Sequence, residues 1–215
     1  MIFLSLKTYK EATGDSVIKL LSSVKRVFEE LGVPIIAVSQ AIDIYRIKKE
    51  LDIEVWAQHV DPIDPGRNMG FVSPYSIKEA GATGVIINHA EHPVSEDIIK
   101  QTIDKAKEFG LKTLVLCQSV ELAKKVEAWN PDYVGYEKSE LIAGTVAMID
   151  VEENNIKHLV SILKKPLIIG AGITTGEQVK KTVAIGGKGV ILASAFVKAE
   201  NPEEKLRELA QGFKV

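Results

Sequence analysis

PLIIGAGITTGEQVKKTVAIGGKGVILAS, residues 166–194, contains the unit from which the rest of the chain is built. An apolar run at 166–170 leads through GAGITTG into a charged segment of helical period from Gly176 to Ile185, and a second apolar run follows at 188–194. Two short runs rich in β-branched residues on either side of a helical segment are the pattern of parallel strands joined by a crossover helix. Gly186 stands just past the helical segment, where a left-handed cap is expected.

The same unit repeats outward. Further runs lie at 2–7 (IFLSLK), 34–39 (PIIAVS), 54–59 (EVWAQH), 84–88 (GVIIN), 111–117 (LKTLVLC) and 132–137 (DYVGYE), which makes eight strands in all. Helical segments are predicted at Ser16–Leu31, Ser95–Phe109, Val120–Trp129, Glu152–Leu163 and Pro202–Gln211. Their ends carry signals: Ser95 before Glu96 and Asp97, Asn201 before Pro202, and Gly32 and Gly110 just past helix ends. Eight strands each followed by a helix close an α/β cylinder, so the expectation is a single (β/α)8 barrel domain over residues 1–215. A doubly wound sheet would carry a Gly-rich turn after its first strand, and none follows Lys7.

Composition agrees with one domain, since 215 residues with 46% hydrophobic content suffice for a sizeable core. A net charge of -2 offers no positive excess to displace counterions from a phosphate backbone, so nucleic acid is not expected as a partner and small metabolites are. The lone Cys117 cannot form an internal disulfide, and the apolar opening MIFLSLKTYK is too short for a signal peptide or a membrane span. Both point to the cytoplasm, away from the membrane.

In such a barrel, function gathers at the C-terminal strand ends. Lys7 ends the first run, and there its ammonium either reaches over the barrel mouth or is solvated. After the fourth run, NHAEHP offers His89, a potential donor to a substrate oxygen, with the carboxylate of Glu91 nearby as support. Glu137 ends the sixth run in YVGYEKSELIAG, ahead of small and apolar residues that could exclude water; it is either a base or a surface partner of Lys138. GAGITTG and ILASAF follow runs seven and eight. Small residues at both places let backbone N–H groups approach an anion, which favours phosphate binding over glycines that merely turn the chain. His59 reads as loop support, Cys117 as a packed thiol, and His92 and His158 lack the spacing of metal ligands, so no metal site is expected.

The ordered set LKTYKEATG, AQHVDPIDPG, IKEAGATGVIINHAE, NPDYVGYE, ELI, GAGITTGEQVKK and ILASAFVKA, spread over nearly the whole chain, resembles the triosephosphate isomerases, in their compact archaeal form. The resemblance implies interconversion of dihydroxyacetone phosphate and D-glyceraldehyde 3-phosphate through an enediolate, without metal or organic cofactor, in a homodimer or homotetramer serving glycolysis and gluconeogenesis. It makes Glu137 the base, neutral His89 the acid that works on the substrate oxygens, and Lys7 the cation beside the developing charge. That family is itself a standard instance of a carboxylate base paired with a neutral imidazole. By the same resemblance Ser5, Lys7, Ile142, Gly172, Ala193 and Ser194 contact substrate, and the loop after Glu137 closes as a lid, for which the family is again a standard example.

The chain departs from the family's usual sequence at Ser5, where an asparagine is usual. The lid reads AGTVAMID instead of a glycine-threonine-glycine hinge followed by a phosphate-holding serine, with Ile149 at that serine's place. Arg67, Asn68 and Met69 replace the usual dimer-loop sequence. These positions bear on substrate contact, phosphate affinity and assembly. Two other readings therefore stand beside the isomerase: a barrel enzyme for a different sugar phosphate, and a noncatalytic or weakly active relative binding a phosphorylated metabolite or a protein partner.

Overall fold

A computed structural model describes residues 1–142, 144 and 146–214. Eight parallel strands, β1 (Ile2–Ser5), β2 (Ile35–Ser39), β3 (Glu54–Ala57), β4 (Gly84–Ile87), β5 (Lys112–Cys117), β6 (Tyr133–Tyr136), β7 (Leu167–Ile169) and β8 (Gly189–Leu192), pair in chain order. β1 pairs with both β2 and β8, which closes the cylinder. Nearly every strand residue is buried because each strand has two dry faces. Phe3, Ile36, Val38, Trp56, Ile86, Leu114, Leu116, Ile168 and Ile191 fill the inside, while alternate residues such as Ile2, Leu4, Val55, Val85, Val115 and Val190 pack outward against helices.

The barrel floor is aromatic. The Trp56 ring meets Phe3 edge-on with centroids 5.2 Å apart and Tyr133 at 5.9 Å. That ring fits because Gly84 faces it: a Cβ there would stand 2.3 Å from Trp56 Cε2. Glycine on β4 is thus a packing requirement, and the strand it belongs to runs up to His89.

Around the strands lie α1 (Asp15–Leu21), α2 (Val24–Leu31), α3 (Ala41–Glu50), α4 (Pro74–Glu79), α5 (Glu96–Glu108), α6 (Val120–Ala128), α7 (Met148–Val151), α8 (Glu153–Ile162), α9 (Gly176–Ala184), α10 (Ser194–Val197) and α11 (Pro202–Gln211). Ser95 and Asn201 accept from the backbone N–H groups of Ile98 and Glu204 as N-caps should, and Gly32, Gly110 and Gly186 all have positive φ.

The expected helix over Ser16–Leu31 is instead two. Ser22 donates its hydroxyl to the Lys19 carbonyl at 2.9 Å, competing with the helical ladder, and a new helix starts after Ser23. The expected strands overrun their ends for a related reason: Lys7 at φ 44° and the Ala193 bend at φ -132°, ψ -85° turn β1 and β8 into functional loops before the apolar runs finish.

Candidate active site

At the upper mouth of the barrel a cavity is lined by Ser5, Lys7, His89, Glu137, Ile142, Gly172, Ala193 and Ser194. The structure therefore brings together every residue that the sequence singled out at the strand ends as catalytic or substrate-contacting. Tyr9, Gly144, Ala171, Ile173 and Thr174 also line it and were not among those residues.

Glu137 follows β6 immediately and is 2% exposed. Burial pushes its pKa up, and the neighbouring imidazole, the Ala90 N–H at 3.3 Å and the Lys7 ammonium offset that only in part. Its neighbour in the chain, Lys138, is engaged elsewhere, with Nζ 2.5 Å from Glu152 Oε1. The bland reading of Glu137 as half of a surface pair with Lys138 is thereby set aside.

His89 Nε2 lies 3.8 Å from Glu137 Oε1. Its other nitrogen, Nδ1, accepts the backbone N–H of Glu91 at 3.0 Å. A backbone N–H can only donate, so Nδ1 serves as the acceptor and Nε2 is the nitrogen left to donate toward a substrate oxygen. The Glu91 carboxylate does stand nearby, Oε2 lying 4.0 Å from Nδ1, while the hydrogen bond to that nitrogen comes from the Glu91 backbone. The carboxylate turns to Lys7, whose Nζ stands 2.5 Å from Oε1.

Lys7 is held in an unusual backbone conformation. Its φ of 44° is costly for a residue with a Cβ, and Gln58 Nε2 secures the turn by donating to the Lys7 carbonyl at 2.9 Å and to the Val38 carbonyl at 3.2 Å. Asn88 at φ 64° and Ala171 at φ 66° are strained in the same sense and flank His89 and Gly172. Buried Asn88 sets the loop after β4 by donating to the Leu116 carbonyl at 2.8 Å and accepting from the Val94 N–H at 3.1 Å. Gln58 and Asn88 are the supporting residues that sequence reading passed over. Their signal was available: each is a polar amide in the first position past its strand, where bare backbone carbonyls must be satisfied.

The segment after Glu137, expected as the lid, packs onto the loop that follows β7. Met148 donates its N–H to the Ala171 carbonyl at 3.1 Å, and a Cβ on Gly172 would stand 2.3 Å from the Val146 carbonyl oxygen. Of the lid sequence, Ala143 and Thr145 lie outside the described residues. Ile149, at the place of the family's phosphate-holding serine, is 2% exposed and belongs to the hydrophobic core beside Met148 and Ala147. Ile149→Ser is therefore expected to lower stability by about 2–5 kcal/mol in urea unfolding, with no tightening of substrate binding. A variant as stable as the parent that binds substrate more tightly would contradict this placement. His59, within 3.2 Å of Asp61 Oδ1, stands at the base of the loop that Asp61 closes through Val72 N–H at 2.7 Å. Cys117 is fully buried, and burial followed by the charge of Glu137 raises its thiol pKa, so it stays a packed thiol.

Comparison with known proteins agrees with this geometry. The family model for triosephosphate isomerase matches residues 1–211. The chain is 37% identical to the triosephosphate isomerase of Methanobacterium bryantii, covering 97% of this chain and 95% of that one. For the Methanocaldococcus jannaschii enzyme identity is 36%, with 97% and 98% covered. The fold matches the crystal structure of a Bartonella henselae triosephosphate isomerase with a TM-score of 0.74 at 19% identity, over 99% of both chains. With a match over nearly its full length and relatives of this identity covered almost end to end, the chain belongs to the triosephosphate isomerase family.

Proposed function

We propose that Glu137, His89 and Lys7 carry out the interconversion of dihydroxyacetone phosphate and D-glyceraldehyde 3-phosphate. Glu137 takes a proton from the carbon next to the substrate carbonyl, and the carbonyl oxygen, accepting from His89 Nε2–H, becomes an enediolate oxygen. His89 moves a proton between the two oxygens, and Glu137 returns its proton to the adjacent carbon. Burial of Glu137 suits this work because a carboxylate stripped of water is a stronger base than one at the surface. Lys7 places positive charge at the mouth, where both the enediolate and the phosphate are anionic.

The observation that carries the reading is the position of the imidazole. Its Nδ1 is taken up by the Glu91 backbone N–H, which leaves Nε2 to donate, in one cavity with a buried carboxylate 3.8 Å away and the Lys7 ammonium. Gly172, Ala193 and Ser194, with the first backbone N–H groups of α10, supply the phosphate end, and Ser5 and Ile142 complete the substrate wall. The chemistry assigned to these side chains is proton transfer alone, and we assign no cofactor. A different sugar phosphate or a noncatalytic binding role is disfavoured by the full-length family match and by the undisturbed trio. The test is a coupled assay with glyceraldehyde 3-phosphate: turnover that depends on Glu137 supports the assignment, and no turnover at any pH removes it.

We also assign the chain, as one domain over 1–215, to a cytoplasmic homodimer or homotetramer. The fully buried Cys117 thiol suits a reducing compartment. Among the described residues no helix is long and apolar enough to cross a membrane. For assembly the support is the loop after β3, where Met69 is 100% exposed and Phe71 59%. Two large apolar side chains held in water on one loop are the mark of a surface that a second copy covers. Sedimentation should show an oligomer that the double substitution Met69→Glu with Phe71→Glu dissociates; a monomeric parent would overturn the assembly.

A further inference from the structure

The two residues that flank Glu137 in the chain converge on one acid. Tyr136 donates its hydroxyl to Glu152 Oε2 at 3.1 Å, and Lys138 approaches Oε1 of the same carboxylate at 2.5 Å. Asn155, on α8, donates to Oε2 at 2.6 Å. The side chains are largely covered, Glu152 at 15% exposure and Lys138 at 27%. Burial by itself raises the Glu152 pKa, but hydrogen bonds from Lys138, Asn155 and Tyr136 outweigh it, and the carboxyl is held below its ordinary value. The phenol of Tyr136 is pushed up, by burial first and then by the Glu152 charge.

The place of this cluster in the chain gives it meaning. Lys138 is where the lid leaves β6. Glu152 is where it returns, ending α7 through its N–H to the Met148 carbonyl at 2.8 Å and preceding α8. The ion pair thus fastens the two ends of the lid together, and Tyr136, packed on the outer face of β6, fastens that pair to the barrel wall. Glu137 lies between the two anchored residues.

We infer that Glu152 is a positioning residue: it holds the backbone on both sides of Glu137 and joins the two ends of the lid, so that the base and the cover over the substrate keep one fixed relation. The inference rests on the assignment of Glu137 as the base. A half-buried single ion pair of this kind contributes little to stability, but a base must be placed to within a fraction of an ångström, so the effect belongs in turnover.

Glu152→Gln keeps an acceptor for Tyr136 and removes the charge that Lys138 needs. The expected result is a fall in kcat of about tenfold to a hundredfold, the range that a misplacement near 1 Å produces. KM should stay within about threefold, since the cavity residues that meet the substrate are untouched. The distinguishing readout is inorganic phosphate released per isomerisation. In that side reaction the enediolate electron pair moves in as the C–O bond to phosphate breaks, and a loosened lid admits it, so the ratio should rise. Lys138→Met cuts the same connection from its other end and should act alike, and the charge-reversed pair Lys138→Glu with Glu152→Lys should recover part of both losses. Unchanged kcat and phosphate ratio in both single variants, with only a lowered unfolding midpoint, would make Glu152 merely structural and overturn the inference. Full activity in Glu137→Gln, measured in the same assay, would instead mark failure of the base assignment itself.

Discussion

Glu137→Gln is expected to lower kcat by about a thousandfold, within the range a positioned acid or base contributes. The substitution is nearly isosteric, and the amide oxygen can still accept the Ala90 N–H, so the loss reports basicity and little else. The parent enzyme should also lose activity on the acid side at a higher pH than an ordinary carboxylate would dictate. Burial raises the Glu137 pKa, and kcat/KM falls as the pH drops through that raised value because only the carboxylate can take the proton. Stability moves the opposite way. A carboxyl whose folded pKa lies above its unfolded one stabilises the fold most below the unfolded pKa, and that contribution is lost as pH rises through the folded value. At neutral pH the charged, buried Glu137 is therefore a burden on the fold. Glu137→Gln should unfold at higher denaturant concentration than the parent at pH 7, and the advantage should vanish toward acid. A variant that is inactive and also less stable at neutral pH would show that the carboxylate does structural work not assigned to it here.

Lys7→Met should cost about a hundredfold to a thousandfold in kcat/KM, the scale of removing one preorganised electrostatic contact to a developing anion. The methionine keeps the length of the side chain and removes a charge that lines the cavity and pairs with Glu91 at its edge. Two signatures separate this from general damage. Competitive inhibition by inorganic phosphate should weaken, because the cation attracts any dianion at the mouth. The acid limb of the kcat/KM profile should move to higher pH, because the Lys7 charge is one of the influences that hold down the Glu137 pKa against burial. An unchanged acid limb with full phosphate inhibition would place the ammonium outside the working site.

How much of this was legible beforehand differs from residue to residue. Lys7, His89 and Glu137 could be found because each ends an apolar run, and strand ends on one side of a parallel barrel must meet. Ser5, Ile142, Gly172, Ala193 and Ser194 came from the family resemblance, and all of them line the cavity. The helix break at Ser22–Ser23 escaped the pattern because hydrophobic period continues across it while a hydroxyl takes over a backbone carbonyl. Spacing along the chain offered the carboxylate of Glu91, which stands 4.0 Å from His89 Nδ1, but could not reveal that the Glu91 backbone N–H makes the hydrogen bond to that nitrogen. The resemblance put Ile149 at the place of a phosphate-holding serine, and its side chain turns into the core.

The order of apolar runs and helical segments was enough by itself to dictate eight strands, their parallel sense and the end of the cylinder where chemistry collects, because strand and helix periods are local and parallel crossovers admit few arrangements. Only the closed tertiary structure decided which partner each polar group found: Lys138 on Glu152, Glu91 on Lys7, Gln58 on the strained carbonyl of Lys7. Those pairings join residues 14 to 84 positions apart, and they depend on how the chain folds back around the barrel and on how much water each carboxylate loses, neither of which a one-dimensional pattern contains.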